Sequence, residues 1–265
     1  MLEGILLGII QGITEWLPIS SEGILVLVKS NFFGGGESLR ELIQLAIFLH
    51  VGTFGAALLY LRRDVWILGK ALFMRKTANG ETQKTLRFLV LATFISGIIG
   101  FFLLEVFLAA VEDQVELTAR VITFAVGVLL LGTAFVQMKA KRNGEKGMGD
   151  LRDRDGLLLG IAQGLSVLPG FSRSGLTIAA LLLRKFDDAV ALRLSFLMSL
   201  PVVLGANIVL NSKDFVVTAV AVWGVLFSFL FGIVTIHFLM KLAGKVNFGY
   251  FVLFFGILTV VSSFI

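Results

Sequence analysis

A short polar segment near the start of the chain carries the side chains with the clearest chemical potential. It reads Gln11-Gly12-Ile13-Thr14-Glu15-Trp16-Leu17-Pro18-Ile19-Ser20-Ser21-Glu22-Gly23 and lies in a very apolar sequence. Burying carboxylates, an amide and hydroxyls in hydrocarbon is costly unless these groups pair or perform a function. Gln11 and Glu15 are four residues apart, so a helix places both on one face. The segment is therefore the first candidate for a functional site.

A second polar segment combines a guanidinium with hydroxyls. It consists of Ser172-Arg173-Ser174-Gly175 and Thr177, at a predicted helix start. The free N–H groups and the dipole of a helix start favour anions, and arginine binds phosphate oxygens through two parallel hydrogen bonds. The segment therefore predicts a phosphate site. A carboxylate opposite it suits phosphoester or diphosphate hydrolysis, in which one group moves a proton and others stabilise the phosphoryl charge.

Simpler interpretations of the same residues compete with this one. Arg173 and Glu15 would explain each other as a buried ion pair, and Gln11 and Glu15 would be explained by hydrogen bonds to neighbouring helices. The hydroxyls around Arg173 favour the phosphate site, because an ion pair does not require them. In a membrane cavity, the substrate would be a lipid phosphate.

The two polar segments are copies of one signature. At an offset of 152 positions, Gln11 matches Gln163, Ser20 matches Ser172 and Gly23 matches Gly175. The preceding glycine triplet Gly4, Gly8, Gly12 repeats as Gly156, Gly160, Gly164, and such spaced glycines allow another helix to approach closely. The chain is therefore interpreted as a duplication with one signature in each half.

Composition indicates an integral membrane protein. The 265 residues are 57% hydrophobic and 15% charged, against about 25% charged residues in soluble domains. There are no cysteines, which excludes disulfides and thiolate chemistry. The net charge of +5 does not indicate nucleic acid, because excess Lys and Arg in membrane proteins mark cytoplasmic loops. No cleavable signal peptide is expected, since the start lacks a positive region.

The predicted fold is an all-α polytopic membrane protein with six transmembrane helices and two re-entrant helix–loop–helix hairpins. Spans of about 20 apolar residues are predicted at 44–61, 88–107, 118–138, 191–210, 216–240 and 247–265. Proline breaks the polar segments near Pro18 and Pro169, so 3–29 and 155–184 are predicted hairpins. The first repeat covers 1–138, a cytoplasmic connector 139–154, and the second repeat 155–265. Trp16, Trp66 and Trp223 are expected near membrane interfaces.

Charge supports an inverted-topology repeat. With one hairpin and three spans in each half, the basic loops 62–87 and 139–154 fall on one face and the acidic residues on the other. The positive-inside rule then predicts that the basic face is cytoplasmic and that both termini lie outside. Inverted repeats bring their broken helices together near the midplane of the bilayer. The two signatures are therefore expected to meet.

The motifs at Gln11 to Gly23 and at Pro169 to Thr177 resemble the two signatures of the undecaprenyl-diphosphate phosphatase family of the bacitracin-resistance type, and Ser195 to Pro201 is similar to its following helix. The resemblance implies a multi-pass enzyme of the cell membrane that removes one phosphate from a polyprenyl diphosphate and recycles the lipid carrier for surface glycan synthesis. It also implies a site open to the outer face and a divalent cation, Mg²⁺ or Ca²⁺, for which Glu15 is the candidate ligand. Expected partners are the lipid substrate and membrane lipids, without nucleic acid, and a homodimer is left open.

By the same resemblance, the catalytic residues are Glu15, Ser21, Ser172, Arg173 and Ser174. The substrate-binding residues are Gln11, Ser20, Gly170, Gly175 and Thr177.

Two positions depart from the family pattern. Gln11 stands where a glutamate is frequent, and Ile24 stands where a histidine implicated in catalysis usually follows Ser-x-x-Gly. His50 is the weak candidate to replace that histidine. Alternatively, Ser172 or Ser174 attacks with Glu15 as the base, or Glu15 activates a water with or without a metal. A different function also remains open, namely a transporter that moves a polyprenyl phosphate or another lipid phosphate without cleaving it.

Overall fold

A computed structural model describes residues 1–34, 39–74, 78–111, 144–168, 171–211, 216–243, 245 and 248–264, with scattered residues between 121 and 138. Helices dominate this part of the chain, and no strand longer than an isolated bridge occurs in it. We number the helices in chain order. They are α1 Leu2–Thr14, α2 Ser21–Val28, α3 Leu39–Tyr60, α4 Arg62–Phe73, α5 Gly80–Val111, α6 Asp153–Leu165, α7 Arg173–Leu183, α8 Asp188–Asn211, α9 Ala219–Leu242 and α10 Phe248–Ser262.

Four helices are long and apolar enough to cross a membrane, which confirms a multi-pass membrane protein. Their qualifying segments are Glu41–Tyr60, Gly80–Val106, Asp188–Val209 and Ala219–Leu242. These agree with four of the six predicted spans. The predicted span 118–138 lies mostly outside the described residues, and its described positions are helical. The predicted span 247–265 corresponds to α10, an apolar helix of 15 residues.

Both signatures form broken helices, as the sequence predicts. The first pair, α1 and α2, is separated by turns around Pro18, and the second pair, α6 and α7, by a break that contains Pro169, which lies outside the described residues. A serine caps the second helix of each pair. The Oγ of Ser20 accepts from the N–H of Gly23 at 3.2 Å, and the Oγ of Ser172 accepts from the N–H of Gly175 at 3.0 Å. The repeated Ser-x-x-Gly is thus a helix N-cap in both halves.

The repeated glycines hold each broken helix against a long helix of the other half. A Cβ on Gly8 would lie 2.4 Å from the carbonyl oxygen of Gly224, so α1 and α9 are in backbone contact. A Cβ on Gly160 would lie 2.7 Å from the Cβ of Ile95, where α6 packs on α5. The close approach predicted from the glycine triplets is confirmed, and it is reciprocal between the halves.

One predicted loop is wrong in part. Residues 62–87 were expected to be a basic loop, but α4 occupies Arg62–Phe73 and α5 begins at Gly80. The segment binds to the rest of the protein through one side: Ala71 is buried, and Asp64 pairs with Arg193 of α8, the Nε–Oδ2 distance being 2.7 Å. Its charges mask the helical pattern, because a basic amphipathic helix has a low mean hydropathy.

The main core cluster surrounds Trp16. Its indole is 2% exposed and meets the ring of Phe196 edge-on, with 4.8 Å between the ring centroids. Trp16 therefore does not face lipid, because the chain turn after α1 directs the ring inward against α8. This packing fixes the first break against α8, which also supports the second break.

Candidate active site

Glu15 lies at the end of α1, where the helix gives way to the turns around Pro18, and it is 6% exposed. Its Oε2 accepts from three groups: Gln11 Nε2 at 3.1 Å, Ser21 Oγ at 2.9 Å and His50 Nε2 at 2.9 Å. Its Oε1 pairs with Nη2 of Arg173. The buried carboxylate is therefore surrounded by donors from α1, α2, α3 and α7, which offsets the cost of its desolvation.

Arg173 is the first residue of α7 and reaches across from the second half of the chain. Besides the ion pair with Glu15, its Nη1 donates to the carbonyl oxygen of Ser195 at 3.3 Å. Its Cζ lies 5.7 Å from the centroid of the Trp16 ring, within the range of a cation–π contact. The two signatures meet, as the sequence predicts. The ion pair that the simpler interpretation required is also present.

His50 bridges α3 to the carboxylate. Its Nδ1 lies 2.7 Å from the carbonyl oxygen of Ala46, and its Nε2 lies 2.9 Å from Oε2 of Glu15. A carbonyl oxygen only accepts, so Nδ1 carries a proton. The carboxyl of Glu15 accepts from its other partners, the pattern of an ionised carboxylate, so Nε2 carries a proton as well. This geometry describes an imidazolium that donates at both ring nitrogens.

The three candidate serines differ in the group to which each hydroxyl donates. The Oγ of Ser21 donates to Glu15, so its proton already points at a base. The Oγ atoms of Ser172 and Ser174 both donate to the carbonyl oxygen of Leu17, at 3.1 Å and 2.6 Å. These two hydroxyls tie the start of α7 to the first break. Of the three serines, Ser21 is the one aligned with the carboxylate.

The predicted substrate-binding residues take several positions. Gln11 and Thr177 are buried next to the ion pair, and Oγ1 of Thr177 lies 2.7 Å from Oγ of Ser195. Gly175 lies where a Cβ would come within 3.2 Å of the Pro18 ring, so it allows α7 to approach the first break. Ser20 caps α2, as described above. Gly170 lies outside the described residues.

Three residues of the site were assigned no role from sequence. Trp16 and Ser195 contact Arg173, and Glu22 lies in the first turn of α2, next to Ser21. Glu22 stands inside the first signature, and a carboxylate in so apolar a sequence is itself a signal of a polar site. Ser195 is a buried hydroxyl in a membrane helix, the type of residue that marks a polar site.

The carboxylate of Glu15, the candidate metal ligand, is engaged by protein side chains. Both oxygens of its carboxylate already accept from protein donors. Within the described ranges, no group of three or more His, Asp or Glu side chains converges as metal ligands would. The divalent cation therefore stays a prediction, and no chemical step is derived through it.

Comparison with known proteins identifies relatives over nearly the full length. The sequence model of the family described as "Bacitracin resistance protein BacA" matches residues 4–261. A protein of Methanococcoides burtonii named undecaprenyl-diphosphatase is 42% identical over 99% of this chain and 98% of its own. Proteins with the same name are 35% identical in Saccharolobus solfataricus, over 99% of this chain and 95% of theirs, and 36% identical in Desulforudis audaxviator, over 95% and 92%.

Proposed function

The chain belongs to the bacitracin resistance protein BacA family, and from this premise we propose that it is an integral membrane phosphatase that hydrolyses undecaprenyl diphosphate to the monophosphate. The observation that carries the proposal is the meeting of Glu15 from the first signature with Arg173 from the second. The aligned Ser21 hydroxyl and the donating His50 add a candidate nucleophile and a second positive charge beside that pair. Together these groups match the requirements of phosphoryl transfer.

Arg173 binds the phosphate to be removed. A guanidinium has five N–H donors, and its contacts to Glu15 and Ser195 leave donors free for phosphate oxygens. The start of α7 adds the positive end of a helix dipole at the same place. The donors proposed to bind the phosphate are therefore already in place before the substrate arrives.

Ser21 is the nucleophile and Glu15 its base. The Oγ attacks the terminal phosphorus while its proton passes to Oε2 of Glu15, and the bond from that phosphorus to the bridging oxygen breaks. Glu15 passes that proton to the bridging oxygen of the departing polyprenyl monophosphate, which leaves a phosphoserine and an ionised Glu15. A water then attacks the phosphoserine and releases inorganic phosphate, and its proton restores the hydroxyl of Ser21. The 2.9 Å contact between Ser21 and Glu15 supports this assignment.

His50 takes the place of the histidine that the family usually has at the position of Ile24. Its imidazolium holds Glu15 in position, and its positive charge stabilises the charge that develops on the transferred phosphoryl group. The first turns of α2 place Ile24 one helical turn after Ser21, so a histidine there would approach the same carboxylate. One imidazole from α3 thus serves where the family uses one from α2.

The membrane arrangement that we propose is an inverted repeat with two re-entrant hairpins, α1–α2 and α6–α7. The reciprocal packing of α1 on α9 and α6 on α5 supports it, because an inverted duplication produces such exchanged pairs. The positive-inside rule places the basic loops in the cytoplasm, both termini outside and the opening of the site on the outer face. Undecaprenyl diphosphate would enter laterally from the outer leaflet.

The test is the release of inorganic phosphate from undecaprenyl diphosphate by purified protein in detergent, with Mg²⁺, with Ca²⁺ and with a chelator. Wild-type protein should release phosphate, and Glu15→Gln and Arg173→Ala should each lower turnover by about 100-fold or more, since each removes a charge that the transition state uses. Arg87→Ala is the matched control, because Arg87 forms an exposed ion pair with Asp153 away from the site. It should keep full turnover.

Two outcomes would contradict the proposal. Unchanged turnover in Arg173→Ala would show that the second signature does not bind the phosphate. Saturable binding of the lipid by the wild-type protein without phosphate release, at every metal condition, would favour the transporter over the enzyme.

A further inference from the structure

The outward face of α4 combines cations with large apolar side chains. Arg62, Trp66, Lys70 and Phe73 follow one another at the spacing of a single helix face, and Arg63 lies beside them. All five are exposed: Trp66 by 76% and Phe73 by 87% of their surface. Aromatic rings gain nothing from exposure to water, so this face requires a partner that accepts both rings and cations.

The carboxylate of α4 points away from those cations and does not compensate their charge. Asp64 is the one carboxylate in the helix sequence, and it is turned inward to the guanidinium of Arg193 on α8. None of the ion pairs formed within the described part of the chain involves Arg62, Arg63 or Lys70. The contact that Arg62 makes is to a backbone carbonyl, that of Leu59 at 3.4 Å. All the charged side chains on the outward face are therefore cations.

The place of α4 in the chain restricts the partner. The helix has 12 residues, whereas a span needs about 20. It begins two residues after Tyr60, where the membrane-crossing α3 ends. The hydroxyl of Tyr60 lies 3.4 Å from Nδ1 of His237, so the last turn of α9 with the exposed Lys241 is close by. The helix thus lies at the end of two spans, at the level of lipid headgroups.

We propose that the outward face of α4 lies in the membrane interface and binds the headgroups of anionic phospholipids. Trp66 and Phe73 insert at the level of the glycerol backbone, and Arg62, Arg63 and Lys70 contact the lipid phosphates. Each cation near an anionic membrane surface changes affinity by about fivefold, so the three together give about a hundredfold preference over zwitterionic lipid. This site is independent of the phosphatase chemistry proposed above.

The test is quenching of Trp66 fluorescence in the purified full chain by lipids with brominated acyl chains. The signal of Trp66 is obtained as the difference between the wild-type protein and Trp66→Phe. Brominated phosphatidylglycerol should quench it at a concentration about a hundredfold lower than brominated phosphatidylcholine. The triple variant Arg62→Gln, Arg63→Gln, Lys70→Gln should remove that preference and leave Trp66 in place.

The matched control neutralises three other exposed cations on the same predicted face of the membrane. Arg152→Gln, Arg154→Gln, Lys185→Gln should retain the preference for phosphatidylglycerol. Equal quenching by both lipids, or an equal loss in the control variant, would overturn the proposal. If instead the face packs against a second copy of the chain, Trp66 would not be quenched and the α4 triple variant would convert a dimer into a monomer in light scattering.

Discussion

The contact between His50 and Glu15 joins α3 to the first broken helix through one hydrogen bond of 2.9 Å. The second ring nitrogen is held by the carbonyl of Ala46, so the imidazole has a fixed orientation. A histidine held at both nitrogens positions its partner more rigidly than one that is free to rotate. The function assigned to His50 can therefore be tested by removing it alone.

We predict that His50→Ala lowers phosphate release by about 100-fold or more, because the carboxylate loses its orienting donor and the adjacent positive charge. His237→Ala is the control, since His237 lies on α9 against Tyr60 and away from Glu15. It should retain normal turnover. The readout is kcat and KM for undecaprenyl diphosphate.

A second change distinguishes catalysis from packing. Ile24→His should give no gain in the wild-type protein, where His50 already contacts Glu15, but should restore part of the turnover in His50→Ala. Failure of the double variant to recover, with its helix content intact by circular dichroism, would show that the position on α3 cannot be replaced from α2. Full activity of His50→Ala would contradict the assignment itself.

At the residue scale, the sequence predicts which charged groups form the site but does not predict the role of each hydroxyl. Glu15 and Arg173 are predictable because isolated charges in apolar sequence must meet or be used. The serines look alike in sequence, and only three-dimensional geometry separates Ser21, which faces Glu15, from Ser172 and Ser174, which face a backbone carbonyl. His50 was a weak candidate because its distance to Glu15 depends on how α3 packs.

At the scale of the helices, the glycine contacts set how closely α1 and α9 approach. We predict that Gly8→Ala lowers the thermal unfolding midpoint in detergent, because the added Cβ would lie 2.4 Å from a backbone oxygen that cannot move aside. Overpacking of this kind costs about 1–3 kcal/mol. The measurement is thermal unfolding followed by circular dichroism.

Gly97→Ala is the matched control for that prediction. It is also a glycine within a long helix, α5, but nothing lies within 4 Å of its added Cβ. Because alanine is the better helix former by about 1 kcal/mol, this variant should be as stable as the wild-type protein or more so. Equal destabilisation of both variants would contradict the prediction, because only Gly8 has a backbone oxygen in the path of the added Cβ.

Helix breaks and glycine contacts could be predicted because proline and spaced glycines have local meaning. Helix α4 could not be predicted in this way. Its cations and apolar residues alternate, so the mean hydropathy over a sequence window is low and hides the helical pattern. Its docking depends on the pair between Asp64 and Arg193, which are far apart in sequence. The inward position of Trp16 depends in the same way on Phe196.

For the whole molecule, the proposed topology predicts which positions face each side of the membrane. The chain has no cysteine, so a maleimide labels only a cysteine that has been introduced. We predict that Lys70→Cys, Arg154→Cys and Lys241→Cys react with an impermeant maleimide from the cytoplasmic side, and that Val216→Cys reacts from the outside. All four positions are exposed.

The unsubstituted chain, which should remain unlabelled, is the control for that experiment. Labelling of Val216→Cys from the same side as Arg154→Cys would contradict the inverted arrangement, because α8 would then not cross. Labelling of Lys70→Cys and Lys241→Cys from opposite sides would separate the ends of α3 and α9, which the contact between Tyr60 and His237 places together.

The packing of α1 on α9 also has a consequence for biosynthesis. The ribosome makes α1 first, and it makes α9, on which the glycines of α1 pack, close to the end of the chain. At about 5–20 residues per second, the syntheses of the two helices are separated by roughly 10 to 40 seconds. During that interval the glycine face of α1 has no permanent partner in the bilayer, whereas the partners of Glu15 on α1, α2 and α3 are already present. The packing of α1 is therefore completed late, and a chain that stops before Leu242 lacks part of the α9 surface on which α1 packs.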